Sequence, residues 1–271
     1  MKISIVTAYF NRKDLFRRTL KSISLSNFKD FEVIAVDDCS SENQRIEDLI
    51  NEFPFLQVVR LEKADRWYVN PCIPFNIGFK KAAGEIVVIQ NPECFHFGDV
   101  LSYVKDNLRE NDYFSFSVYA LTKAQTDAMN GLNYNNIIEE CKKVVLPYVE
   151  SVFRQEGIPG WYNHTRYRPV AYHFCSAMHK KKLDGLNGFD ERFAKGVAYD
   201  DNDFITRIGR NKMNIKIIDE LTALHQYHTG VSYQIPNAHA LHERNKQLFF
   251  NVTSKENKIY AENNLVIKND I

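Results

Sequence analysis

The chain has 271 residues, with 35 Lys plus Arg against 34 Asp plus Glu and a formal net charge of +1. At 44% hydrophobic and 25% charged it has the make-up of an ordinary soluble globular protein, with apolar mass for one sizeable core or two joined ones. The near-zero charge argues against a nucleic-acid binder, and no apolar run approaches the roughly 18 residues that would span a bilayer.

The first hundred residues alternate strand and helix signals. Ile3 to Val6 is a short apolar strand, and Met1-Lys2 runs into it without a signal-peptide core. Asn11 can cap the next helix, whose apolar face is Leu15, Phe16, Thr19, Leu20 and Ile23. Phe31 to Val36 is a second strand, ending in Asp37-Asp38. Ser40 or Ser41 then caps a helix carrying Ile46, Leu49, Ile50 and Phe53. Leu56 to Leu61 is a third strand, Pro74 to Ala83 a short helix ended by Gly84, and Glu85 to Ile89 an almost wholly apolar fourth strand. Strands of this kind are buried on both faces, which predicts a parallel sheet covered by helices.

Tyr113 to Tyr119 alternates large and small residues as a further strand does. Residues 121–169 read as an insertion that covers or extends a cleft, with a helix-like piece around Ile137 to Val145 and a cluster of Trp161, Tyr162, His164 and Tyr167. A strand to about Met178, a turn-rich stretch from Leu183 to Gly188, a helix from about Asp201 and a strand from Asn214 to Ile218 follow. Residues 251–271 are polar and read as a peripheral tail. With no repeat and no linker, residues 1–250 are expected to form one domain. Its five cysteines, without a CxxC pair, suit reduced thiols in a cytosol-like compartment.

In an open α/β sheet, ligands sit beyond the carboxyl ends of the strands. Three polar features fall at such ends: Thr7-Ala-Tyr-Phe-Asn-Arg12, Asp37-Asp38, and Asn91-Pro92-Glu93. Such groups can read a base and ribose or hold a metal against a diphosphate, while Asp37-Asp38 can equally serve only to turn the chain and cap a helix. With no GxGxxG after the first strand and no GxxxxGK[ST], a dinucleotide fold and a P-loop are disfavoured, so a diphosphate would need a divalent ion. The densest acidic cluster, Tyr199-Asp-Asp-Asn-Asp-Phe204, holds more carboxylates than a helix start requires, and one of them could take a proton from an attacking hydroxyl. His225-Gln-Tyr-His228 offers a metal or phosphate ligand, or a purely structural histidine.

These motifs, in this order, resemble a family 2-type glycosyltransferase of the GT-A fold. The resemblance runs over roughly residues 3–100 and 171–230 and is carried by Ile3 to Arg12, Phe31 to Ser41, Pro74-Phe-Asn76-Ile-Gly78, Glu85 to Glu93, Gly188-Phe-Asp-Glu-Arg-Phe193 and Tyr199 to Phe204. It implies an α/β fold with a mostly parallel, Rossmann-like central sheet flanked by helices. Residues 1–100 would be the nucleotide-sugar half and 101–250 the acceptor half. Asp37 and Asp38 would contact base and ribose, with Thr7, Tyr9 and Arg12 nearby, and Asn76 and Asn91 would approach the nucleotide or its phosphates. Asn91-Pro-Glu93 stands where the family has Asp-x-Asp, which leaves Glu93 as metal ligand with His228, or else His225, and makes Mn²⁺ or Mg²⁺ the cofactor. Asp201 matches the catalytic base and Asp200 its acidic neighbour. Trp161 and Tyr162 are candidates to stack on an acceptor sugar.

The implied reaction is an inverting transfer from a nucleotide-diphosphate sugar, UDP by default, to a hydroxyl of a glycan, lipid-linked or protein acceptor; a homo-oligomer is compatible with it. The rival reading is a non-catalytic nucleotide-sugar- or glycan-binding protein on the same fold. A nucleotidyltransferase is disfavoured, because the loop after the first strand has no glycine.

Overall fold

The computed structural model describes residues 1–130, 139, 142–143, 149–230, 235–253, 255 and 258–263. Four parallel strands form one side of the sheet, in the order β3 (Leu56–Arg60), β2 (Phe31–Asp37), β1 (Ile3–Tyr9), β4 (Ile86–Gln90). β1 sits between β2 and β4, with Ile3 opposite both Phe31 and Ile86. Its alternating side chains reach two apolar layers. Ile3 and Ile5 pack with Phe16, Leu20 and Ile23 of helix α1 (Lys13–Ser24), whereas Val6 packs with Phe75 and Phe79 of α2 (Cys72–Lys81). Covering both faces is what makes these strands apolar throughout, and each fully buried Phe, Ile or Leu contributes roughly 2 kcal/mol.

Beyond β4 the pairing becomes mixed. β8 (Cys175–His179) runs antiparallel to β4 and to β6 (Asp112–Ala120), which is parallel to β9 (Asn214–His225); β5 (Cys94–Phe97) closes the far edge, antiparallel to β9. β4 and β5 are joined only by the Asn91-Pro92-Glu93 turn, yet β8, β6 and β9 lie between them in the hydrogen-bonding order. The sheet must therefore curl back on itself, and this turn lies where it does so.

Several expectations need correction. Asn11 does not cap α1: it lies at φ 47, and its side chain accepts from the Ser41 amide at 2.9 Å. The helix expected after Ser41 is two 3₁₀ turns, Glu42–Gln44 and Glu47–Asn51. Ile46, Leu49 and Phe53 are buried as expected, but a spacing of three and four suits either kind of turn. α2 starts at Cys72, with Pro74 in its first turn where a missing N–H costs nothing, and ends before Gly84. Gly84 is needed for close approach instead: a Cβ there would lie 2.6 Å from the Ser4 amide nitrogen.

The stretch read as turns over Leu183 to Gly188 is largely helix α5 (Lys180–Leu186), closed by left-handed Asn187. Residues 171–174 are not strand, because Ala171 is left-handed and breaks the extension. The helix at the acidic cluster, α6 (Asp200–Arg210), forms as expected. α3 (Val100–Asn107), α4 (Lys123–Ala128) and β7 (Gly160–Asn163) were not anticipated, nor was α7 (Ala238–Leu248). The helix-like piece around 137–145 falls, save for residues 139 and 142–143, outside the described residues. In the polar tail, Ala261 is buried and its amide donates to the Leu186 carbonyl at 2.8 Å. No helix among the described residues is long and apolar enough to cross a membrane.

Candidate active site

A cleft of about 630 Å³ opens beyond the carboxyl ends of β1, β2 and β4. Three groups of polar side chains converge on it. The first is Asp38, which accepts from the Tyr68 hydroxyl at 2.7 Å and pairs with Arg66 at 3.1 Å. Burial pushes its carboxyl up, against the pull of Tyr68 and Arg66. Tyr9 also lines the cleft, with its hydroxyl bonded to the Gln44 carbonyl at 2.6 Å.

The second group forms where the sheet closes. β5 begins at Cys94 opposite His225, the last residue of β9, so Glu93 is delivered beside that histidine. Glu93 Oε1 lies 3.0 Å from His225 Nε2 and 3.4 Å from His228 Nε2, while Oε2 accepts from Arg12 Nη1 at 2.7 Å. Burial alone would raise the Glu93 carboxyl, but Arg12, His228 and His225 hold it well below the usual carboxylate range. Partial burial of His228 would lower its pKa, but the neighbouring Glu93 charge raises it. The three ligand atoms lie within 4.8 Å of one another. Separations of 3.0 and 3.4 Å match the edges of a polyhedron around an ion with bonds of about 2.1 Å, and one carboxylate with two imidazoles suits a divalent transition ion. The donor set fits the metal. His225 stands nearer Glu93 than His228 does, so the geometry groups both histidines with Glu93 and does not offer them as alternatives. Asn91 lines the cleft, with its amide nitrogen 3.5 Å from Glu93 Oε1.

The third group is the start of α6. Its three aspartates divide their work. Asp203 is buried in an ion pair with Arg207 at 2.7 Å, whereas Asp200 and Asp201 line the cleft. Asp200 accepts from Asn70 Nδ2 at 2.9 Å. Burial, then the charge of Asp201, pushes its carboxyl up to about 6 against the opposing influence of His173 and Asn70. Asp201 is the more open of the two, and its Oδ1 pairs with His173 Nδ1. His173 also lines the cleft, packed edge-on against Phe75 at 5.2 Å and Phe189 at 4.7 Å. Burial would lower its pKa, but Asp201 raises it. No sequence pattern marks His173; it stands in the irregular stretch that Ala171 breaks out of the strand.

Four candidates are placed elsewhere. Thr7 is buried within β1 and is not among the residues lining the cleft. Asp37 is turned away into a pair with Arg60 at 3.1 Å and accepts from the Ser40 amide at 2.8 Å, which is the chain-turning role open to it from the start. Asn76 donates to the Phe189 carbonyl at 2.9 Å and accepts from the Phe189 amide at 2.9 Å, pinning α2 to the loop after α5. Trp161 packs with Phe95, Tyr119 and Leu224, because alternation along β7 sends it to the opposite side from Tyr162. Tyr162 does reach the cleft and donates to Glu156 Oε1 at 2.6 Å. Among the described residues, Glu156 brings the lining carboxylates to five, with Asp38, Glu93, Asp200 and Asp201, beside the paired Arg12 and Arg66 and the histidines His173, His225 and His228.

A family model described as Glycosyl transferase family 2 matches residues 4–184. No curated protein sequence matches the chain. Among solved structures, S. aureus TarS 1-349 in complex with UDP is similar over 83% of this chain and 60% of its own, at 19% identity and a TM-score of 0.52. The same protein in complex with UDP-GlcNAc is similar over 85% and 60%, at 18% identity and a TM-score of 0.55. Mannosyltransferase PcManGT from Pyrobaculum calidifontis, in complex with GDP-Man and Mn²⁺, is similar over 86% and 59%, at 16% identity and a TM-score of 0.55. The chain thus spans about 60% of the length of the first structures it matches.

Proposed function

The chain belongs to glycosyl transferase family 2 and has the GT-A fold, and from that premise we propose that it moves a sugar from a nucleotide-diphosphate sugar to an acceptor hydroxyl with inversion. The observation that supports this most is the sharing of one cleft by two unlike sites: the Glu93, His225 and His228 ligand set, and the Asp201–His173 pair.

Asp38 and Tyr9 stand where the nucleoside would lie, and UDP is the expected nucleotide. Glu93, His225 and His228 would hold a divalent ion, whose contribution when bound is to neutralise the leaving diphosphate. Arg12 keeps Glu93 charged and fixed through its second oxygen. Asp201, oriented by His173, takes the proton from the acceptor hydroxyl. The acceptor oxygen then bonds to the anomeric carbon from the opposite face, the carbon–oxygen bond to the diphosphate breaks, and its electron pair leaves with the nucleoside diphosphate. A single positioned base makes inversion the economical outcome. Asp200, whose carboxyl titrates near 6, keeps a second acid close to the reacting centre.

The test is a panel of nucleotide sugars with and without Mn²⁺, read by thermal shift and by nucleotide release. A ligand that binds only the folded state raises its apparent stability. A Mn²⁺-dependent shift with one UDP-sugar and slow UDP release supports transfer. Binding without any release, even with glycan acceptors supplied, sinks it in favour of a binding protein.

A further inference from the structure

We propose that α7 clamps the start of the catalytic helix in a strained conformation, with Asn245 as the positioning residue. The functional half of this inference rests on Asp201 as the base; the structural half does not.

The two residues that precede Asp200 are Ala198 at φ 61 and Tyr199 at φ 66. Consecutive left-handed residues that are not glycine are costly, and they persist only where their surroundings hold them. Ala198 lines the cleft, and the Tyr199 carbonyl accepts from the Asp203 amide at 3.0 Å in the first turn of α6. Relaxation of this dipeptide would therefore turn Asp200 and Asp201 relative to the cleft.

What holds it comes from one face of α7. Asn245 is fully buried, and its Nδ2 donates to the Ala198 carbonyl at 2.8 Å and to the Phe193 carbonyl at 3.0 Å. Its Oδ1 accepts from Arg244 at 2.7 Å. One turn earlier, the Leu241 carbonyl accepts from the Val197 amide at 3.2 Å, and the His242 ring stands 5.2 Å from that of Tyr199. Phe249, just past α7, adds a contact at 5.6 Å to the same ring. Gly196 completes the fit, since a Cβ there would lie 2.2 Å from Asn245 Oδ1. Both amide hydrogens of Asn245 are thus used on the segment that ends at the strained pair. Helix α7 lies outside residues 4–184, the part of the chain the family model matches.

The experiment compares wild type with Asn245→Ala, Asn245→Asp and the double variant Asn245→Ala/Ala198→Gly. Asn245→Asp preserves size but removes both donors; the glycine lowers the cost of the left-handed conformation at position 198. The readouts are kcat, donor affinity titrated without acceptor, and amide exchange of residues 199–203. Both single variants are expected to lower kcat at least tenfold, leave donor affinity within twofold and speed exchange over 199–203, with the double variant recovering most of both losses. A role confined to packing α7 would not be repaired by a glycine at 198. Unchanged exchange in both single variants, or no recovery in the double variant, overturns the clamp. Should wild type transfer no sugar, the exchange readout still decides the clamp, while the transferase reading fails separately.

Discussion

Asp201 Oδ1 and His173 Nδ1 form an ion pair at the wall of the cleft, bringing together the start of α6 and the irregular stretch before β8. Neither residue is placed by its own element alone. The pair fixes the carboxylate against a ring packed edge-on to Phe75 and Phe189.

Loss of the base and loss of its partner should therefore look different. Asp201→Asn is expected to cut kcat by about 10²–10⁴-fold with donor binding intact. His173→Gln should cost about tenfold in kcat and leave donor KM within twofold, and it should push the Asp200 carboxyl further up, because His173 opposes that rise. Steady-state kinetics across pH check both. Equal losses in KM and kcat for His173→Gln would refute the positioning role.

Asp200 links the site to stability. Its carboxyl, raised to about 6 from 3.8, keeps its proton in the folded state where the unfolded chain has released it. Stability is therefore lost as the pH rises from about 4 to 6 and stays reduced above that. Asp200→Asn removes the titration, so its Tm relative to wild type should climb across this window and then level off. A difference in Tm that is flat from pH 4 to pH 7 would contradict the account.

Metal binding should weaken on acidification at a higher pH than a carboxylate-only site would. His228, whose pKa Glu93 raises, must lose its proton before it can ligate. Calorimetric affinity for Mn²⁺ is expected to fall several-fold between pH 7.5 and 6, and Glu93→Gln should abolish measurable binding at either pH. Affinity that is equal at both pH values would remove the imidazoles from the set.

Gly84→Ala tests the packing beneath the site. The added Cβ meets backbone on two sides, 2.6 Å from the Ser4 nitrogen and 2.8 Å from the Lys2 oxygen, and backbone does not yield as a side chain does. A loss of about 1–3 kcal/mol in denaturant unfolding is expected.

The parallel strands were legible in the sequence because burial on both faces leaves an unbroken apolar run, as at Ile86 to Ile89. So were the polar ends of those strands, Asp38 and Glu93 among them, because beyond a strand's end the side chains leave the apolar layers and line the cleft. The division of labour between adjacent residues was not. Asp37 and Asp38 are identical letters, and partners placed by later segments, Arg60 for one and Arg66 with Tyr68 for the other, hold one inward and the other at the cleft. His173 escaped because its partner is nearly thirty residues downstream. Asn245 escaped because the groups it serves are backbone carbonyls, which no residue pattern announces. The 3₁₀ turns after Ser41 escaped for a different reason: their apolar spacing is the same as that of an α-helix.

The curl of the sheet has a consequence for dissection. β5 follows β4 after only a turn, yet it is hydrogen-bonded to β9 at the opposite edge. A fragment cut after residue 100 would carry one strand with no neighbour and leave a second edge bare. Grafting a foreign acceptor portion onto residues 1–100 would have to supply a strand in register with Cys94 to Phe97, ending in a residue that can stand where His225 does. Residues 1–100 and the strands that follow are built into one sheet and cannot be exchanged as modules.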